Sequence, residues 1–87
     1  MKYRALESYW KSFERLPAEI REKAIKQFKL FRSDPHHPSL QTRKIPGNKE
    51  GIWYGRIDSA YRFTFRLEGD TYVFRNIGTH EITDRDP

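Results

Sequence analysis

Tyr61-Arg62-Phe63-Thr64-Phe65-Arg66-Leu67 alternates a large apolar residue with a polar or basic one at every step. Successive side chains of a strand point to opposite faces, so this run predicts a β-strand that turns Tyr61, Phe63, Phe65 and Leu67 toward a core and Arg62, Thr64 and Arg66 toward an open, basic face. Its neighbours extend the sheet. Ile52 to Asp58 precedes it across a short turn at Ser59-Ala60, and Thr71 to Ile77 follows the hairpin signal Glu68-Gly69-Asp70 and closes at Gly78. Thr42 to Ile45 is a shorter candidate strand, set apart by Pro46-Gly47-Asn48 and a polar loop through Gly51.

Upstream the period changes. Tyr3, Leu6, Trp10 and Phe13 recur at three- and four-residue spacing, which predicts a helix with one apolar stripe. Leu16-Pro17 ends it, because proline clashes with a helix continuing behind it and suits the first turn of a new one. In the second helix Ile20, Ala24, Phe28 and Phe31 form the stripe, with Glu19 and Glu22 near the start and Lys26, Lys29 and Arg32 near the end, as the helix dipole favours. Ser33-Asp34-Pro35 stops this helix, and the prolines around His36 and His37 keep the next stretch extended as a solvated connection. The expected class is α+β: an N-terminal helical hairpin packed on one face of a twisted three- to four-stranded antiparallel sheet. Trp10, Phe13, Phe28, Phe31, Phe63 and Phe65 are expected in one core, with residues 1–87 a single domain.

Composition narrows the chemistry. The 87 residues hold 17 Lys+Arg against 12 Asp+Glu, a formal charge of +5, yet 15% are aromatic, enough large rings to build a core rather than a disordered chain. So small a domain has little room for a deep internal cavity, so a reaction would take place on a surface or in a shallow cleft. With no cysteine, disulfides, thiolate metal sites and a cysteine nucleophile are excluded, and a reducing compartment fits. No apolar run approaches the ~18–20 residues of a membrane span and no signal-type segment follows Met1, so a cytoplasmic protein is expected.

Residues 1–33 carry nine basic and four acidic groups, a surplus that solvation of helix faces accounts for. The sheet differs. Arg56, Arg62, Arg66 and Arg75 project from adjacent strands, and Arg43, Lys44 and Lys49 lie in the strand and loop leading into them, a pattern that suits a phosphate chain. The competing structural reading pairs some of these arginines with Asp58 and Glu68 as braces across the strands. His80 follows the Gly78-Thr79 turn at the edge of that face. An imidazole exchanges protons near neutral pH, and Arg62 and Arg56 can stabilise charge on a phosphoryl group, which together fit RNA cleavage through the ribose 2′-hydroxyl with neither metal nor cofactor. Taken from the residues alone, a lone histidine near arginines is a weak signal, and a histidine that merely steadies the turn is the reading they favour.

Three segments in this order and spacing resemble the RelE/ParE toxin superfamily of bacterial toxin–antitoxin systems, RelE/YafQ-like members in particular. They are Asp34-Pro35-His36-His37-Pro38-Ser39-Leu40, then Trp53-Tyr54-Gly55-Arg56-Ile57 with Tyr61-Arg62-Phe63, and Asn76-Ile77-Gly78-Thr79-His80. The resemblance covers nearly the whole chain. It implies a toxin that cleaves messenger RNA in the ribosomal decoding site and is neutralised by a cognate antitoxin, with no small-molecule cofactor and no membrane partner. It further implies His80 as the proton-transfer group with Arg56 and Arg62 on the phosphate, while the charge pattern of the sheet puts Arg43, Lys44, Lys49, Arg66 and Arg75 along the RNA. Glu81 stands as a substitute base where some relatives carry other groups, and the family's first strand is expected to be reduced to helix here. ParE-type relatives share the fold and act by binding DNA gyrase, so a non-catalytic inhibitor is the alternative, followed by an RNA-binding domain without toxicity.

Overall fold

The alternating run forms β4, Tyr61–Glu68, at the centre of a five-stranded sheet in the computed structural model, which describes residues Met1–Pro87. Around it lie β1 (Lys2–Ala5), β2 (Arg43–Lys44), β3 (Trp53–Arg56) and β5 (Thr71–Thr79), in the spatial order β1-β5-β4-β3-β2. The helices are α1 (Glu7–Glu14), α2 (Ala18–Ser33) and a short α3 (Ile82–Arg85). Pro17 opens α2 as expected, its carbonyl accepting from the N–H groups of Ile20 and Arg21. A 3₁₀ turn at Pro38–Leu40 interrupts the expected extended stretch, and the His37 ring caps it by accepting from the Ser39 N–H at 3.1 Å.

The first strand corrects the sequence reading. Lys2 to Ala5 is not helix but pairs in parallel with β5, from Lys2 opposite Thr71 to Ala5 opposite Phe74. Tyr3 and Ala5 face the core while Lys2 and Arg4 are exposed, so a two-residue period fits this short segment as well as a helical one, and the free edge of β5 decides between them. The sheet is therefore mixed and five-stranded rather than purely antiparallel. Where β1 ends, α1 takes over the open edge of β5. Ser8 Oγ donates to the Arg75 carbonyl at 2.6 Å, and Ser12 Oγ accepts from the Ile77 N–H at 3.1 Å, so main-chain groups beside the strand irregularity at Arg75 are satisfied by side chains.

Phe31 is the centre of the core. Fully buried on α2, it meets Tyr3, Phe63, Phe65, Tyr72 and Phe74, all five edge to face with ring centroids between 4.9 and 6.5 Å. Phe63 and Phe65 are buried with it, and Phe13 and Phe28 pack partly buried against the cluster. Trp10 does not join them. It is 53% exposed, packed edge-on against Tyr9 and Phe13 at the rim of a 230 Å³ apolar groove between α1 and α2. Leu67 is exposed too, at the far end of β4. Gly55 is needed for close approach, because a methyl group there would strike the Phe63 ring.

Burial pushes the Tyr9 phenol up to about 12 from 10.0. The folded-state value lies above the unfolded one, so the stabilisation is intact below pH 10 and is lost as pH rises toward 12. Two units correspond to about 2–3 kcal/mol. Urea melts across that window should show Tyr9→Phe losing less stability with pH than the parent; parallel curves would mean the phenol ionises without resistance.

Candidate active site

On the face of the sheet away from α2, the ladder sets Arg43, Tyr54, Thr64 and Asn76 in one row and Arg56, Arg62 and Gly78 in the next. Gly78 leaves no side chain opposite Arg62. It also lets α3 come close, since a Cβ there would lie 2.9 Å from the Ile82 side chain. The ladder runs one step past β5, where the His80 N–H donates to the Ala60 carbonyl at 2.9 Å, and the turn is held by Thr83 Oγ1 donating to the His80 carbonyl at 2.9 Å. The imidazole itself makes no hydrogen bond within the chain and is exposed.

These elements enclose a cleft of 300 Å³ lined by Gln41, Arg43, Tyr54, Arg62, His80, Thr83 and Asp84. Arg62 is fixed there by main-chain oxygens. Its Nη1 donates to the carbonyls of Asp58 and Tyr61, which leaves the other N–H groups of the fork free. Asp58 does not brace an arginine through its carboxylate: Oδ2 pairs with Lys23 at 3.4 Å, and Oδ1 accepts from the N–H groups of Ala60 and Tyr61, each at 2.9 Å. Partial desolvation pushes that carboxyl up, but the two N–H donors and Lys23 outweigh it and hold it below the usual 3.8. Glu68 pairs with no cation.

The remaining sequence-predicted residues divide. Arg56 lies in an adjoining cleft with Lys23, Lys26 and Gln27, and Gln41 lines both clefts, so the two form one polar track. Lys26, one of the α2 helix-face cations, therefore belongs to the wall of this track. Arg66 lies four residues along β4 from Arg62, opposite Val73. Arg75 is engaged elsewhere, its Nε donating to the Pro87 main-chain oxygen at 3.1 Å and its Nη2 lying 3.7 Å from Glu50. Lys44 shares its row with Trp53 and Phe65 on the helix-covered side, and Lys49 is an exposed loop residue. Glu81 is exposed and does not line the cleft; the carboxylate there is Asp84. Nor is the basic face open throughout. The Ile82–Pro87 segment crosses it, with Thr64 Oγ1 donating to the Pro87 oxygen at 2.9 Å and Asn76 Nδ2 to the Asp86 carbonyl at 2.9 Å, so Thr64 is fully buried.

Tyr54, Gln41, Thr83 and Asp84 were not singled out by sequence reasoning. For Tyr54 a signal existed, since it alternates with the core-facing Trp53 and so shares the face of Arg56. Asp84 had none, because only the fold of the terminal segment brings it to Arg62. No group of three or more His, Asp or Glu side chains is arranged to hold a metal ion, and no helix is long and apolar enough to cross a membrane.

No protein-family model matches this sequence, and no curated protein matches it. Solved structures do. A YoeB/ParE toxin from Agrobacterium tumefaciens superposes with a TM-score of 0.74 at 24% identity, covering 92% of this chain and 99% of its own. The RelB-RelE antitoxin-toxin complex from Methanococcus jannaschii gives 0.75 at 21% identity, covering 97% and 99%. The DinJ-YafQ toxin-antitoxin complex from E. coli gives 0.72 at 16%, covering 91% of each chain. With near-complete coverage in both directions and the same helices laid on the same sheet, this chain has the fold of the RelE/ParE toxins.

Proposed function

We propose that this chain is the toxin of a toxin–antitoxin pair and an endoribonuclease that cleaves messenger RNA presented by the ribosome. The observation that carries this reading is the single cleft gathering His80, Arg62 and Arg43. A phosphate seated against the free N–H groups of Arg62 and the side chain of Arg43 has its charge offset in both ground and transition states. The ribose 2′-oxygen loses its proton to a base and attacks phosphorus; the new P–O2′ bond forms as the P–O5′ bond breaks, and an acid protonates the departing 5′-oxygen. His80 supplies one of these proton transfers. The Asp84 carboxylate, which lines the same cleft, supplies the other in this reading and takes the substitute-base role in place of Glu81. Arg56 and Lys26 extend the basic track for the flanking strand.

A cognate antitoxin is the proposed protein partner, supported by the RelB-RelE and DinJ-YafQ complexes among the structural neighbours. Expression without it should arrest growth. RNA affinity should fall with salt, each phosphate neutralised on a single strand contributing about −0.7 to the slope of log K against log salt. Arg43→Ala combined with Arg62→Ala should flatten the slope by about 1.4. A filter-binding titration that leaves the slope unchanged would move RNA off this cleft. Growth arrest without RNA cleavage would instead support inhibition by protein binding.

A further inference from the structure

We propose that Tyr54 is a base-stacking platform that holds one nucleobase of the RNA beside the phosphate at Arg62, with Gln41 reading the edge of that base. The proposal rests on the RNA reading above and deepens it. Among the six Phe, five Tyr and two Trp of the chain, all but Tyr54 and Tyr61 take part in a ring pair, and Tyr61 packs against the core. Tyr54 does neither. Its ring is half-buried and is the one hydrophobic side chain lining the cleft, among Gln41, Arg43, Arg62, His80, Thr83 and Asp84. Its hydroxyl makes no hydrogen bond within the chain. An aromatic residue that neither fills the core nor bonds a polar neighbour, and that lines a cleft, is available to a ligand in that cleft.

Its position matches the needs of a single strand. Tyr54 lies directly between Arg43 and Thr64 in the ladder and diagonally from Arg62. Diagonal neighbours on adjacent strands are roughly 7–8 Å apart, a span that a ribose bridges between its phosphate and its base. Cationic groups flanking an aromatic face are the pattern by which proteins track a backbone and stack its bases without regard to sequence. Gln41 adds the element that stacking lacks. It is the only non-glycine residue with a left-handed backbone, at φ 44°, where it closes the 3₁₀ turn and lines the cleft. Glycine or asparagine takes that conformation more readily, whereas the Gln41 amide offers both a donor and an acceptor to a base edge.

The test uses a fluorescein-labelled, uniformly 2′-O-methyl RNA octamer, which cannot be cleaved, and a set in which a single abasic site is walked along it. The parent chain should lose about tenfold in affinity at one position, the value of one stacked base. Tyr54→Ala should bind the intact octamer about tenfold more weakly and lose nothing further at that same position, while Tyr54→Phe binds like the parent. Tyr54→Leu, which keeps bulk without a π face, should match Tyr54→Ala and guards against a folding defect, read by thermal melt. Gln41→Ala should level the preference among the four bases at that position. If folded Tyr54→Ala or Tyr54→Leu binds like the parent while Arg62→Ala weakens binding, stacking is overturned and the RNA reading stands. If the parent does not bind, or Arg62→Ala changes nothing, the RNA reading itself falls.

Discussion

Phe31→Ala is expected to remove about 4 kcal/mol of stability, close to the whole margin of a domain of this size. The ring is fully buried and contacts five other aromatic residues from β1, β4 and β5, so its loss leaves a void that neighbours on three strands cannot close together. Large-to-small changes cost most where the site cannot collapse, and here each wall is a sheet-bound ring held by its own strand. Urea unfolding of the parent and variant measures the difference. A loss below about 1 kcal/mol would show that Phe31 is not the centre of the core.

His80→Ala is expected to lower RNA cleavage by about 10²- to 10⁴-fold while leaving RNA affinity nearly unchanged, and to abolish growth arrest. The structure makes the variant a clean one. The turn at residue 80 is held by main-chain bonds to Ala60 and Thr83, both of which alanine keeps, and the imidazole is exposed without a partner in the chain. A histidine that only steadied the turn would make melting temperature, binding and cleavage fall together. Single-turnover cleavage beside a thermal melt separates the two, and full activity in a folded variant would remove His80 from the chemistry. If the proposed reaction holds, a substrate with one deoxyribose at the cut site should resist the parent chain and cleavage should persist in a chelator, because the proposed nucleophile is the 2′-hydroxyl and the protons pass between the RNA oxygens and side chains.

Where long segments hold one period, the structure followed the sequence: β3, β4 and β5 lie on the predicted runs, and the α2 stripe from Ile20 to Phe31 packs on them. Short segments were ambiguous. Four residues, Lys2 to Ala5, satisfy a strand and a helix equally, and only pairing with β5 resolves them. Trp10 continued a convincing stripe, but α1 lies along the edge of β5 rather than across the sheet, so the outer part of that stripe meets solvent. The site was legible in part for the same reason. Strand and turn positions set His80, Arg62 and Arg43 at one face of the sheet, and in the fold they line one cleft. Arg75 shared their pattern, yet the Ile82–Pro87 segment and Glu50 occupy it. No periodicity foretells where a short terminal helix will lie, so Asp84 stayed hidden until Gly78 and Ile82 fixed it.

The parallel pairing of β1 with β5 carries a kinetic consequence. Lys2 to Ala5 have one strand partner, Thr71 to Phe74, and α1, α2 and β2 to β4 are synthesised between the two. Until that partner emerges, Tyr3 and Ala5 have no sheet to join and Phe31 lacks the rings of Tyr72 and Phe74. Contacts so distant in sequence raise the contact order and slow folding, since the loop between them must close before either end is rewarded. A nascent chain therefore cannot complete either the core or the cleft with His80 and Arg62 before β5 and the turn after it have been made.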